Sequence, residues 1–289
     1  MPQVIDTLVL ASVYGLMAIG ISLTWAGLGL LNLAQGVTFT ISAYGAWLAA
    51  THISSNGAVV ILAGIVTGVL AGAATWLLVF IPLDGKPNWD NRTIIATLAL
   101  SFIVANGLQV LFGTTYRSLP AIFGGGKFNL GGTVVTSDRA GTIVSGSILL
   151  ALVLFALMRT RIGLGVRALT QNTEGAELVG INRRTAALAI LAVSGGLAGL
   201  ASVLLAQILF VYPDMGSTPL VKGLIVALLG GLGSIWGTII AAVLVGLVEV
   251  LTGTYLNTQY VLITLFALMA VVLIIRPRGI AGILESTRT

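Results

Sequence analysis

Catalysis needs nucleophiles, paired carboxylates, metal ligands or a phosphate cradle, and this chain offers almost none of them. Its single histidine, His52, falls at the edge of an apolar run with no Ser, Cys or acidic partner at motif spacing, and reads as an interfacial residue. There are no cysteines, so disulfides, thiolate metal sites and cysteine nucleophiles are excluded. The run GGGK, Gly124 to Lys127, has the look of a phosphate loop. Such a loop also needs an earlier Gly and a Ser or Thr after the Lys, and Ala121 and Phe128 hold those places. The chain therefore cannot bind ATP in that way, and any ATP-driven step must run on another polypeptide.

What remains is chemistry of binding and contact. Asn32, Gln35 and Thr38 follow the first apolar segment, and Asn106 and Gln109 share one face of the fourth. Amides donate and accept without the desolvation cost of a charge, which suits a polar solute held weakly and released. The same set could equally hydrogen-bond between helices. Glu249 is the one acid inside a long apolar run; it reads either as a functional carboxylate or as a residue reaching water near Gly253 and Tyr255.

The most polar inner stretch is Arg159 to Arg184, which holds Arg159, Arg161, Arg167, Arg183 and Arg184, five of the 14 Lys and Arg residues. Short loops rich in Lys and Arg stay cytoplasmic, so this one sets the orientation of its neighbours. Within it a helix of about two turns is predicted. Asn172 or Thr173 can cap its start, Glu174 favours the positive end of the dipole, and Gly180 can end it in the left-handed conformation. A helix so short is unstable alone. With Ala176, Leu178 and Val179 beside Glu174 and Glu177, it offers an apolar knob with a charged rim to a groove on another protein.

The elements that must position these residues are membrane helices. The chain has 289 residues, 57% hydrophobic and 8% charged, with a mean hydropathy of +1.07, whereas soluble domains carry about 25% charged residues. The net charge of +5 comes from the central loop and the C-terminal end, not from a basic face laced with aromatics, so nucleic acid is not an expected partner and the lipid bilayer is. A start carrying only Asp6 argues against a cleaved signal peptide. Apolar windows of about 20 residues begin near Thr7, Leu33, Ala58, Thr93, Thr142, Thr185 and Gln259. The stretch from Val221 to Leu232, the break GGLGSIWG and the run from Thr238 to Leu251 form a broken or re-entrant pair. Gly64, Gly68, Gly72 and Gly195, Gly199 mark close-packing faces. The expected fold is all-α, a polytopic integral membrane protein of eight to nine transmembrane helices. With the central loop and Arg276 and Arg278 both inside, nine is preferred and the N-terminus lies outside. Residues 1–289 read as a single transmembrane domain with a cytoplasmic loop at 159–184.

Three stretches resemble the permease subunits of branched-chain amino acid ABC importers, whose relatives carry urea, short amides and nucleosides. GVRALTQNTEGAELVGIN is similar to the family's coupling loop, LLNLAQG to its Asn-x-Ala-His/Gln-Gly signature, and VKGLIVALLGGLGSIWG through RPRGIAG to its C-terminal third. Gln35 stands where the family more often has His. The resemblance implies an inner-membrane importer subunit with a second homologous permease, two cytoplasmic ATP-binding subunits that use the ATP, a periplasmic binding protein, and no cofactor or metal on this chain. It assigns ATPase coupling to Thr173, Glu174, Gly175, Ala176, Glu177, Leu178 and Gly180. The solute implied is a branched-chain or related amino acid, with urea, a short amide or a nucleoside as the alternative. An ion-coupled secondary transporter would be expected to show charges in broken helices repeated in two halves, and a channel a filter motif. The sequence displays neither a convincing repeat nor such a motif.

Overall fold

Long runs of Ala, Leu, Ile, Val and Gly leave the backbone no solvent partner in a bilayer, so each run closes its hydrogen bonds internally as a helix. The computed structural model describes residues 2–130, 133–160, 163–165, 168, 173–178 and 180–281. Arg161, Arg167, Asn172 and Val179 lie outside the described residues, and of Thr173, Glu174 and Glu177 the backbone alone is described.

The helices are α1 (Pro2–Leu28), α2 (Gln35–His52), α3 (Gly57–Thr75), α4 (Trp89–Phe112), α5 (Ser137–Arg159), α6 (Thr173–Leu178), α7 (Arg183–Ala206), α8 (Ser217–Gly230), α9 (Ile235–Tyr255) and α10 (Val261–Ile275). α3 continues through a π-turn, Trp76–Phe80, into Ile81–Leu83. The cause is Pro82, which has no N–H for the ladder and whose ring forces the preceding turn to widen. Between α4 and α5, Lys127–Leu130 and Thr133–Thr136 pair as an antiparallel hairpin, β1 and β2. The fold is thus an all-α membrane protein apart from that hairpin.

Among the described residues, six helices are long and apolar enough to cross a membrane by length and composition: α1, α3 with its extension, α4, α7, α9, and α10 with the 3-10 turn Thr258–Tyr260 before it. α8 has only 14 residues. The expected broken pair is present as α8 and α9, joined by a turn in which Gly231 and Gly233 take positive φ.

A repeat invisible in the sequence organises the packing. α1 packs most closely on α9, and α7 most closely on α3; α2 lies against α3 and α7 as α8 lies against α9 and α1. The two sets are related by inversion, because the first turns of α2 and α8 meet each other: a Cβ on Gly216 would overlap the carbonyl oxygen of Gly36, and the Gly216 N–H donates to Thr40 Oγ1 at 3.1 Å. Side-chain identity differs too much between the halves for the repeat to be read directly. What is repeated is where small residues permit contact. Gly68 and Gly195 each abut the other's backbone in one half, and Gly246 takes Thr7 and Ala11 in the other. α1 and α7 are the most buried of the long helices, and their facing sides form the centre of the core with Phe39, Leu197 and Ile225.

Candidate solute path and coupling loop

The chain leaves helical geometry between Leu28 and Gln35, where Gly29 takes φ +69° and α1 stops. Freed backbone groups inside an apolar bundle need partners. Here α4 supplies them: the Leu33 N–H donates to Thr97 Oγ1 at 3.3 Å and Ser101 Oγ donates to the Leu33 carbonyl at 3.0 Å. Asn32, buried, accepts from the Ala34 N–H at 3.0 Å and so closes the turn that starts α2. Gln35, also buried, donates to the Ser194 carbonyl at 2.9 Å, while Ser194 Oγ donates to the Gly20 carbonyl at 2.8 Å. α1, α2 and α7 are therefore stitched at the middle of α7. A Cβ at Gly20 would sit 2.9 Å from both Gln35 Nε2 and Ser194 Oγ, so the stitch requires that glycine. Thr38 Oγ1 donates to the Ala34 carbonyl at 3.0 Å, within its own helix.

Asn106 and Gln109 lie elsewhere. Both are exposed on the outer face of α4, Asn106 Nδ2 donating to the Phe102 carbonyl at 2.7 Å beside exposed Phe102, Ile103 and Val110. The structure thus brings Asn32, Gln35 and Thr38 together and keeps Asn106 and Gln109 apart from them.

On the loop side, α6 spans Thr173–Leu178 and Gly180 takes φ +90°, with the Ile181 N–H returning to the Ala176 carbonyl at 3.0 Å. Gly180 ends the helix because a left-handed residue turns the chain back over the last carbonyls. Ala176 is buried and Leu178 is 87% exposed, so of the described apolar residues of the helix only Leu178 projects outward. Downstream, Asn182 caps α7 by accepting from the Arg184 and Thr185 N–H groups. Arg184 pairs with Asp84 at 3.0 Å, and the Arg183 guanidinium lies 5.5 Å from the Trp89 ring. These contacts fasten the loop's exit to the α3–α4 turn. An open groove of about 540 Å³, lined by Asp84 and Gly180 to Arg184, adjoins it.

Glu249 does not reach for water near Gly253. It pairs with Lys222 of α8 at 2.6 Å, and both are bonded to Tyr14 of α1. Lys222 was the missed residue. One cation in the run from Val221 to Leu232 and one acid in the next run were the signal, since lone opposite charges in two adjacent apolar segments satisfy one another.

Helices broken inside a bundle of long apolar helices define a multi-pass membrane protein. The chain belongs to the family described as "Branched-chain amino acid transport system / permease component", which matches residues 3–273. It is 29% identical to the high-affinity branched-chain amino acid transport system permease protein LivH of Escherichia coli K12, covering 97% of this chain and 94% of that protein. It is 27% identical to the corresponding BraD of Pseudomonas aeruginosa, covering 97% and 95%. An L-arabinose ABC transporter permease protein, AraH of Azospirillum brasilense, is 29% identical over 73% of this chain and 61% of its own length.

Proposed function

We propose that the chain is the transmembrane permease subunit of an ATP-driven importer and passes branched-chain or related amino acids delivered by a binding protein. The observation that carries this reading is likeness over almost the whole chain to permeases named for branched-chain amino acid transport. Residues 1–289 act as one permease domain in the inner membrane, with the loop at 159–184 facing the cytoplasm. ATP is bound and hydrolysed by two partner subunits, and a second homologous permease completes the path. This chain contributes no catalytic group and holds no cofactor.

The membrane arrangement proposed has nine crossings: α1, α2, α3, α4, α5, α7, α8, α9 and α10. Two of them, α2 and the short α8, are preceded by non-helical chain, residues 29–34 before α2 and 207–216 before α8. Asp84 paired with Arg184 puts the α3–α4 turn on the side of the basic loop, and Asp6 paired with Arg139 puts the start of α1 with the start of α5. Both fit an N-terminus outside. Coupling runs through Thr173 to Gly180. Exposed Asn106 and Gln109 are costly against lipid, which favours a path or a second permease beside α4.

The test is ATP-dependent uptake in proteoliposomes holding the complete complex and its binding protein, with leucine, isoleucine and valine against urea, a nucleoside and L-arabinose. Accumulation of the branched-chain amino acids is expected. Uptake of arabinose alone, a solute suggested by the shorter likeness to AraH, would reassign the substrate.

A further inference from the structure

In the apolar interior of the bundle, three polar side chains from three helices touch each other. Lys222 Nζ of α8 lies 2.6 Å from Glu249 Oε1 of α9 and 3.0 Å from Tyr14 Oη of α1, and the Tyr14 hydroxyl donates to Glu249 Oε1 at 3.1 Å. Lys222 is 8% exposed. Glu249 Oε2 is buried with no hydrogen-bond partner among the described residues. A buried ion pair seldom adds net stability over apolar residues of similar volume, and one left partly unsatisfied adds less. Stability is therefore a poor account of the triad, and fixed geometry is a better one.

The inverted repeat says what geometry is fixed. Counted from Gly36 and Gly216, which meet at the junction, Ser42 stands in α2 where Lys222 stands in α8. Ser42 bonds the Thr38 carbonyl of its own helix and ties α2 to no neighbour in the way Lys222 ties α8. α2 has 18 residues and packs extensively on α3 and α7; α8 has 14 and packs less on its counterparts. The shorter, looser half-helix is the one that carries the charges. Its two ends are also clasped. Gly216 abuts Gly36 at the junction of the half-helices, and at the other end the Ala281 N–H donates to the Gly230 carbonyl at 3.2 Å beside the α8–α9 turn.

We propose that Tyr14, Lys222 and Glu249 are positioning residues of the transport cycle: they lock α8 to α1 and α9, so that α8 acts as a rod linking the α8–α9 turn to the junction where α2 and α8 meet. This rests on the transport reading above. The rod transmits movement only while its side is held; with the lock broken, ATP hydrolysis continues and the junction no longer follows it.

The experiment measures leucine uptake and ATP hydrolysis together in proteoliposomes of the complete complex, and takes their ratio. Wild-type uptake is the control for the transport reading; its absence with leucine would fail that reading and leave the lock to be judged on the accepted solute. Lys222→Met and Glu249→Gln are expected to lower uptake per ATP about tenfold with hydrolysis retained, and the exchanged pair Lys222→Glu with Glu249→Lys to recover most of it. An unchanged ratio in assembled single variants overturns the proposal, since a merely structural pair would change yield and not the ratio. If the single variants do not assemble, Tyr14→Phe decides, because it leaves the ion pair in place and removes both hydrogen bonds of the Tyr14 hydroxyl. A fall of about threefold in uptake per ATP supports the lock, and a wild-type ratio overturns it.

Discussion

At Gln35 an amide joins α2 to α7, and Ser194 carries the tie on to α1, where an apolar side chain of the same size at Gln35 would make no such bond. Its Nε2 reaches the Ser194 carbonyl, and Gly20 is bare enough to let it pass. Gln35→Leu removes a hydrogen bond whose net contribution is about 1 kcal/mol, so the complex should assemble and keep its affinity for the binding protein. Uptake in vesicles is nevertheless expected to fall, because the break at Gly29–Ala34 is held open by polar groups at this point. An unchanged rate would make Gln35 interhelical glue alone. The residue types at such places were legible from sequence and their directions were not. Polarity at Asn32, Gln35, Asn106 and Gln109 stood out against apolar runs, yet two of these turned inward and two outward, because direction depends on which helix arrives alongside. Glu249 was visible for the same reason, and its partner became evident only when α8 and α9 were laid side by side.

Glycine spacing within a helix is the signal that carried over best from sequence to packing. Gly64, Gly68 and Gly72 in α3, and Gly195 and Gly199 in α7, were each readable as a close-contact stripe, and the structure lays one stripe on the other. A Cβ at Gly68 would overlap the Gly195 carbonyl, so Gly68→Leu should destabilise by about 2 kcal/mol or more through overpacking. Gly107 of α4 has nothing within 4 Å of an added Cβ, and Gly107→Ala should be neutral or better by up to about 1 kcal/mol. Melting of the detergent-solubilised complex separates the two; equal melting temperatures would remove the close approach as a stabilising element. For α6, the helix and its Gly180 stop are present where expected, with Ala176 turned inward and Leu178 outward, while the capping side chains of Asn172 or Thr173 and the apolar Val179 lie outside what the structure describes. Replacing Glu174 and Glu177 together with Lys should still weaken association with the ATP-binding subunits or uncouple hydrolysis from uptake, by reversing the charge of the rim. Wild-type uptake and ATPase stimulation in that double variant would take the coupling role away.

Across the whole molecule, two kinds of information met. Charge sets the expected sides: the arginines of the central loop and Arg276 with Arg278 are the basic markers the topology rests on. Helix count was harder, because half-helices are too short to register by length and the repeat that explains them lies in contacts between distant segments. In the inverted arrangement the starts of α2 and α8 meet inside the bundle, each preceded by non-helical chain. The nine crossings proposed above would put the α4–α5 connection and the α9–α10 turn outside and the α3–α4 turn inside. The absence of cysteine from the sequence makes this directly measurable. Ala121→Cys and Asn257→Cys, both exposed, should react with a membrane-impermeant thiol reagent in intact cells. Lys86→Cys, exposed at the turn that Arg184 ties to the basic loop, should react only after the membrane is opened. Labelling of Lys86→Cys from outside together with Ala121→Cys would remove the one crossing between them and return α4 to a helix that does not span.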